Sequence, residues 1–189
     1  MKFLEKVKLG NKLVAKLKKK LKIGILGGTF DPAHKGHIKI SKESKNKFKL
    51  NYVIWAITKK NPFKGKSNLN LKSRFKFAKK ITQKKKFIKV KFFEKKIKSN
   101  KTINLINYLK KNNKNSDIYF IMGADNLINF HKWNKWKTIA KKSKILVFDR
   151  QGYKYKSLKS IAYRQINKKN LNFINFKKVN ISSSKLRKI

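Results

Sequence analysis

Residues 22–37 read KIGILGGTFDPAHKGH. The short apolar run KIGIL predicts a buried strand, and Gly27-Gly28 predicts the turn that ends it, because glycine lets a backbone bend and approach a ligand without a side chain in the way. Asp31-Pro32 is a second turn signal, and Gly36 allows close approach where the next helix opens. Phosphate oxygens bind at such a place, since unpaired backbone N–H groups and the positive helix end both face them. Thr29 adds a hydroxyl. His34 and His37, three residues apart, can point to one side and donate ring N–H groups to the same phosphate.

Outward from that loop, further short apolar runs recur: NYVIWAI (51–57), KFIKVKFF (86–93), DIYFIMG (117–123), KILVFD (144–149) and NFINF (172–176). Helical periodicity fills the intervals at 36–48, 70–84, 102–112, 124–141 and 156–168. Strand alternating with helix predicts an α/β fold, a Rossmann-like, doubly wound, mainly parallel sheet of about six strands with helices on both faces. Ligands of such sheets sit at the carboxyl ends of the strands, where strand order reverses. With 189 residues, one domain is expected over 22–189, after a basic lead-in at 1–21. In that lead-in Phe3, Val7, Val14, Leu17 and Leu21 keep roughly helical spacing, which fits a surface helix, a frayed extension or a membrane-surface anchor.

Lys and Arg number 54 against 7 Asp and Glu, a net charge of +47. Such a field attracts polyanions, so a basic nucleic-acid-binding protein is one reading. Against a dedicated nucleic-acid partner, the lysines are spread along the whole chain, and arginine occurs only as Arg74, Arg150, Arg164 and Arg187. Lysine with abundant Asn, Ile and Phe also fits a genome poor in G and C. The chain has no cysteine, which removes disulfides and cysteine-held zinc and points to a reducing compartment. No apolar run approaches the ~20 residues of a membrane span, and no signal peptide is recognisable, so a cytoplasmic protein without membrane contact is expected. Oligomeric state stays open, a homo-oligomer included.

Where acids are this scarce, each one is informative, and Asp31, Asp125 and Asp149 all stand at the edges of apolar runs. The run DIYFIM leads into Gly123-Ala124-Asp125-Asn126, where the carboxylate can accept two sugar hydroxyls, as in dinucleotide-binding sheets, or cap a helix. Trp133 and Trp136 in FHKWNKW (130–136) need a use, either packing under a helix or stacking on a ligand. In ISSSKLRKI (181–189), hydroxyls beside a helix start with Arg187 one turn on form a second phosphate grip. His34 and His37 could be half of a metal site, but His131 is the one other histidine and acids are few, so no protein-held metal is predicted.

GGTFDPAHKGH resembles the signature loop of the nucleotidyltransferases that carry a His-x-Gly-His motif, specifically that of the nicotinate-nucleotide adenylyltransferase family. Pantetheine-phosphate adenylyltransferases and cytidylyltransferases have similar loops, so this motif alone leaves the acceptor open. The resemblance runs from about Lys22 to Arg187. It implies that Gly27, Gly28, Thr29 and Phe30 bind ATP and that His34 and His37 act on its phosphates. It implies also that Gly123 and Asp125 form the family's Gly-x-Asp turn at the adenine ribose. Ser183, Ser184 and Arg187 are similar to the family's Ile-Ser-Ser-Thr-x-Ile-Arg, which faces the β and γ phosphates. For the acceptor, Trp133 is implied to stack on the pyridine ring. Arg150 matches the arginine before Pro-Gly-Tyr, although Gln151 replaces the proline, and is implied to grip the mononucleotide phosphate. Asn61-Pro62-Phe63-Lys64 is similar to an Asn-Pro-Leu-Lys segment, and Lys101-Thr102 to a Tyr-Thr whose backbone meets the nicotinate carboxylate; Lys64 and Thr102 are thereby implied to bind substrate. The implied reaction, a step of NAD biosynthesis, joins ATP and nicotinate mononucleotide to give nicotinate adenine dinucleotide and pyrophosphate. Imidazoles, neutral or protonated, would assist, with Mg²⁺ held mainly by the substrate phosphates.

Overall fold

In the computed structural model, which describes residues 20–61, 65 and 67–176, six strands form at the six apolar runs: β1 (Leu21–Gly28), β2 (Tyr52–Ile57), β3 (Ile88–Lys91), β4 (Ser116–Gly123), β5 (Lys144–Phe148) and β6 (Leu171–Ile174). They make one sheet in the order β3-β2-β1-β4-β5-β6. Every pairing is parallel, beyond the mainly parallel sheet expected. Order reverses between β1 and β4, so the chain leaves these two neighbours in opposite directions and opens a crevice at their carboxyl ends.

The strands read as continuous apolar runs because both sheet faces are covered. One face, with Ile23, Ile25, Phe120, Met122 and Val147, packs under α4 (Thr102–Asn112), α5 (Ala124–Ile128), α6 (Trp136–Lys142) and α8 (Ile161–Gln165). The other, with Leu26, Val53, Trp55, Ile121 and Phe148, packs under α1 (Lys35–Phe48) and α2 (Leu71–Thr82). Gly24 is tightly enclosed on that face: a Cβ there would stand 2.9 Å from Leu50 Cδ1 and 3.1 Å from Val53 Cγ2.

Three expectations change. Gly27 and Gly28 are not a turn. Both are strand residues, paired with Ala56 and Ile57 of β2, and the bend falls on the next residues, with Phe30 in the left-handed region (φ 49) and a cis Asp31–Pro32 bond. The helix expected over 124–141 breaks into α5, a 3₁₀ turn at Phe130–Lys132 and α6. Phe130, Trp133 and Trp136, three apart, pack edge to face there, with centroids 5.4 and 6.0 Å from the Phe130 ring. That spacing suits three residues per turn. The helix expected over 156–168 becomes α7 (Lys154–Leu158), α8 and a second 3₁₀ turn, because Ser160 caps a new helix by accepting Tyr163 N–H at 3.2 Å. A short helix not anticipated, α3 (Glu94–Ile97), follows β3. Residues 1–19 of the lead-in lie outside the described residues, and Leu21, assigned to it, begins β1.

Candidate active site

The loop after β1 delivers both histidines to the N-terminus of α1, a 14-residue helix. His34 is its N-cap. Gly36 N–H donates to His34 Nδ1 at 3.1 Å, and His34 N–H donates to His37 Nδ1 at 3.2 Å. A backbone N–H can only donate, so each Nδ1 is an acceptor and each neutral ring carries its proton on Nε2. The rings lie 3.8 Å apart, centroid to centroid. Burial, reinforced by the Arg150 guanidinium, lowers the His34 pKa from 6.5 to about 4. His34 is therefore a neutral N–H donor at physiological pH, which decides between the two protonation states left open by the sequence.

Phe30, one of the expected nucleotide contacts, turns its ring away from the crevice. It is 2 % exposed and stacks on Trp55 with centroids 4.9 Å apart and planes at 20°. What it can offer a nucleotide is its backbone. A left-handed phenylalanine costs roughly 1–2 kcal/mol, and this packing holds it in place.

After β4, Gly123 is the N-cap of α5 and Asp125 its second residue. Asp125 is therefore not the cap. Instead a Cβ on residue 123 would lie 2.5 Å from Asp125 Oδ1, so the carboxylate folds back over Gly123 and would have to swing away from any larger residue there. Asp125 Oδ2 accepts from Arg150 Nη1 at 2.6 Å. Arg150, read from the sequence as a cation waiting for a phosphate, is thus already paired, and it stands near enough to His34 to influence it. Arg150 thus ties the turn after β4 to the loop after β1, across the reversal between the two strands.

Beside them opens a cavity of about 290 Å³, bordered among others by Gly27, Lys60, Lys101, Thr102, Phe120 and Trp133. Thr102 is the first residue of α4, an 11-residue helix whose N-cap residue, Lys101, makes no side-chain cap bond, and the leading N–H groups of such a helix suit an anion. Trp133 is held edge-on by Phe120 at 5.9 Å and Phe130 at 5.4 Å. Trp136 packs on Phe130 alone of these, which answers its need locally. Lys64, Ser183, Ser184 and Arg187 lie outside the described residues.

The residues that brace these loops were not identified from the sequence. Arg74 of α2 is 2 % exposed. Its Nε donates to Leu69 O at 3.0 Å, Nη1 to Thr29 O and to Thr58 O (2.9 Å), and Nη2 to Lys59 O at 3.1 Å. Asp31 accepts the N–H groups of Asn68 at 2.8 Å and Leu69 at 3.1 Å, and Glu94 Oε1 accepts Lys59 N–H at 3.1 Å. The scarcity of arginine and acid was the one available signal. Asp149, also singled out, buries Oδ1 with no hydrogen-bond partner among the described residues. Among those residues no three His, Asp or Glu side chains converge to hold a metal ion, and no helix is long and apolar enough to cross a membrane.

Comparison with known proteins places this geometry. The cytidylyltransferase-like family model matches residues 25–189. A protein of Pelagibacter ubique (strain HTCC1062) described as a probable nicotinate-nucleotide adenylyltransferase is 70 % identical over 171 residues, 90 % of this chain and 94 % of that protein. One from Aliarcobacter butzleri (strain RM4018), described in the same words, is 36 % identical over 148 residues, 78 % of this chain and 80 % of its own. The fold is shared with Plasmodium falciparum nicotinic acid mononucleotide adenylyltransferase complexed with NaAD, at a TM-score of 0.69 and 20 % identity over 89 % of this chain and 83 % of that one.

Proposed function

The chain belongs to the cytidylyltransferase-like family and groups with the nicotinate-nucleotide adenylyltransferases, and we propose that it transfers AMP from ATP to nicotinate mononucleotide, giving nicotinate adenine dinucleotide and pyrophosphate. The observation that carries this reading is the pair of neutral Nε2–H donors at the N-terminus of α1, beside a cavity that ends on the uncapped N-terminus of α4. One end suits a departing pyrophosphate. The other suits an aromatic carboxylate.

An oxygen of the mononucleotide phosphate attacks the α phosphorus of ATP in line. A new O–P bond forms, the bond from the α phosphorus to the bridging oxygen breaks, and its electron pair leaves on pyrophosphate. The attacking phosphate is already ionised at neutral pH, so no general base is needed, and the protein's work is alignment and charge stabilisation. His34 and His37 supply fixed N–H donors, and the first N–H groups of α1 add to them. Asp125, oriented by Arg150, is assigned to the adenine ribose, and Trp133 to the pyridine ring. Ser183, Ser184 and Arg187 are assigned, by resemblance, to the β and γ phosphates. Mg²⁺ belongs on the triphosphate and water, since Asp31 is engaged with two backbone N–H groups and Asp125 with Arg150. The lack of cysteine, which suits a reducing compartment, supports a cytoplasmic reaction.

The test is a product assay with ATP, Mg²⁺ and a panel of acceptors: nicotinate mononucleotide, nicotinamide mononucleotide and phosphopantetheine. Nicotinate mononucleotide should be used best, with kcat/KM at least tenfold above the amide. The N–H donors at Thr102 and the positive potential of Lys101 suit an anion, and a neutral amide would leave buried groups poorly paired at ~1–3 kcal/mol each. Product from phosphopantetheine alone would move the chain to the sister activity.

A further inference from the structure

We propose that Arg74 is the positioning residue that sets the distance between the two substrates, by holding the ATP-side loop and the acceptor-side loop on a single guanidinium. The inference rests on the adenylyltransferase reading and goes beyond it, since Arg74 faces neither substrate.

The four carbonyls that Arg74 holds come from three separate segments. Thr29 belongs to the phosphate loop that ends in His34 and His37. Thr58 and Lys59 follow β2 and lead to Lys60, and Thr58 and Lys60 border the acceptor cavity. Leu69 immediately precedes α2, which carries the arginine itself. The bracing is reciprocal: Asp31 of the phosphate loop takes the Leu69 N–H while Arg74 takes the Leu69 carbonyl. In the same way Glu94 takes the Lys59 N–H and Arg74 the Lys59 carbonyl. Only a planar, multiply donating cation can span these acceptors at once. Lysine presents a point charge with three donors on one nitrogen.

On the adenylyltransferase reading each loop serves mainly one substrate. In-line transfer, however, needs the attacking oxygen and the α phosphorus held together, and a misplacement of about 1 Å costs on the order of 10²-fold. Loosening Arg74 should therefore be felt in the step that uses both loops.

The experiment compares wild type, Arg74→Lys and a control, Asn70→Ala. Asn70 caps the same helix, accepting Ser73 N–H at 2.8 Å, and leaves the Arg74 side chain intact. Steady-state kcat and both KM values are measured, with Tm and the separate Kd values for ATP, nicotinate mononucleotide and the dinucleotide product, which spans both loops. The expected result for Arg74→Lys is a kcat reduced roughly 10²-fold, with single-substrate KM and Kd values within about threefold and weakened affinity for the spanning product. Asn70→Ala should lower Tm and keep kcat. Normal kcat in folded Arg74→Lys overturns the proposal, as does an equal kcat loss in Asn70→Ala or a loss confined to one KM. If Arg74→Lys does not fold, Asp31→Asn, which weakens the reciprocal half of the brace, must show the same split between kcat and KM, and a normal kcat there overturns the proposal. Failure of the underlying activity is distinguishable, because the wild type would then make no dinucleotide from nicotinate mononucleotide at all.

Discussion

After β1 the chain enters a single helix of 14 residues, whereas after β4 residues 124–142 are broken into α5, a 3₁₀ turn and α6. The difference follows what each segment presents to the crevice. α1 presents its end: two histidines and the first N–H groups act together, and a long uninterrupted helix behind them gives a stable axis and an aligned dipole. The segment after β4 presents side chains, Asp125 toward the sugar turn and Trp133 toward the cavity, and these point in directions one regular helix could not serve. The proposed assignment thus puts phosphate chemistry on a regular element, and ring recognition on an irregular one packed from beneath by Phe120 and Phe130.

The sharpest way to break that division is at the regular end. His37→Ala should lower kcat by roughly 10² to 10³, the usual cost of one preorganised donor to a developing charge, in a protein whose far-UV circular dichroism is unchanged. Near-normal turnover in the folded variant would remove the phosphate role from α1. At the irregular end, Trp133→Ala should raise the KM for the mononucleotide roughly tenfold, in line with ~0.5–2 kcal/mol from an indole facing a cationic ring together with lost packing, and leave kcat and the KM for ATP nearly as they were. A loss in kcat at constant KM would mean that both segments serve the chemistry. The smallest effect is a titration. His34 has a folded pKa of about 4 against 6.5 unfolded. Between those values the unfolded chain binds a proton that the folded one refuses, so stability rises with pH from about 4 to 6.5 through this group and is flat above. NMR of the ring protons together with urea midpoints across that range would check it, and a His34 midpoint near 6.5 would contradict the buried, neutral donor.

The strands were legible because a parallel sheet covered on both faces demands unbroken apolar runs, and the helix over 102–112 because its period is undisturbed. The breaks at Asn129 and Ser160 were not, since they arise where tertiary packing and a local cap override periodicity. At the candidate site, His34, His37 and Asp125 could be named because glycines and apolar runs flank them, and Trp133 because a tryptophan in a polar stretch needs a use and the family resemblance offers one. Arg74 could not: its reach to Thr29 spans 45 residues and leaves no local pattern. For Phe30 the loop motif says nothing of which way the ring turns, and the ring packs on Trp55, so the nucleotide contact implied for it falls to its backbone. Gly27 and Gly28 look like a turn in sequence, yet they stay extended. A Cβ on Gly27 would meet only Phe120, at 3.9 Å, and would stand at the border of the cavity.

His34 divides its ring between two employers. Nδ1 secures the first turn of α1, work that Asn, Asp or Ser at an N-cap does for roughly 0.5–2 kcal/mol, and Nε2 carries the proton that the proposed function assigns to phosphate. Catalytic groups commonly sit at odds with the scaffold that carries them, so that variants gaining robustness lose turnover. At position 34 the two demands coincide in one residue. With the role proposed for His34, an asparagine arriving there by drift would satisfy the helix and silence the chemistry, and selection for thermal endurance alone would accept it.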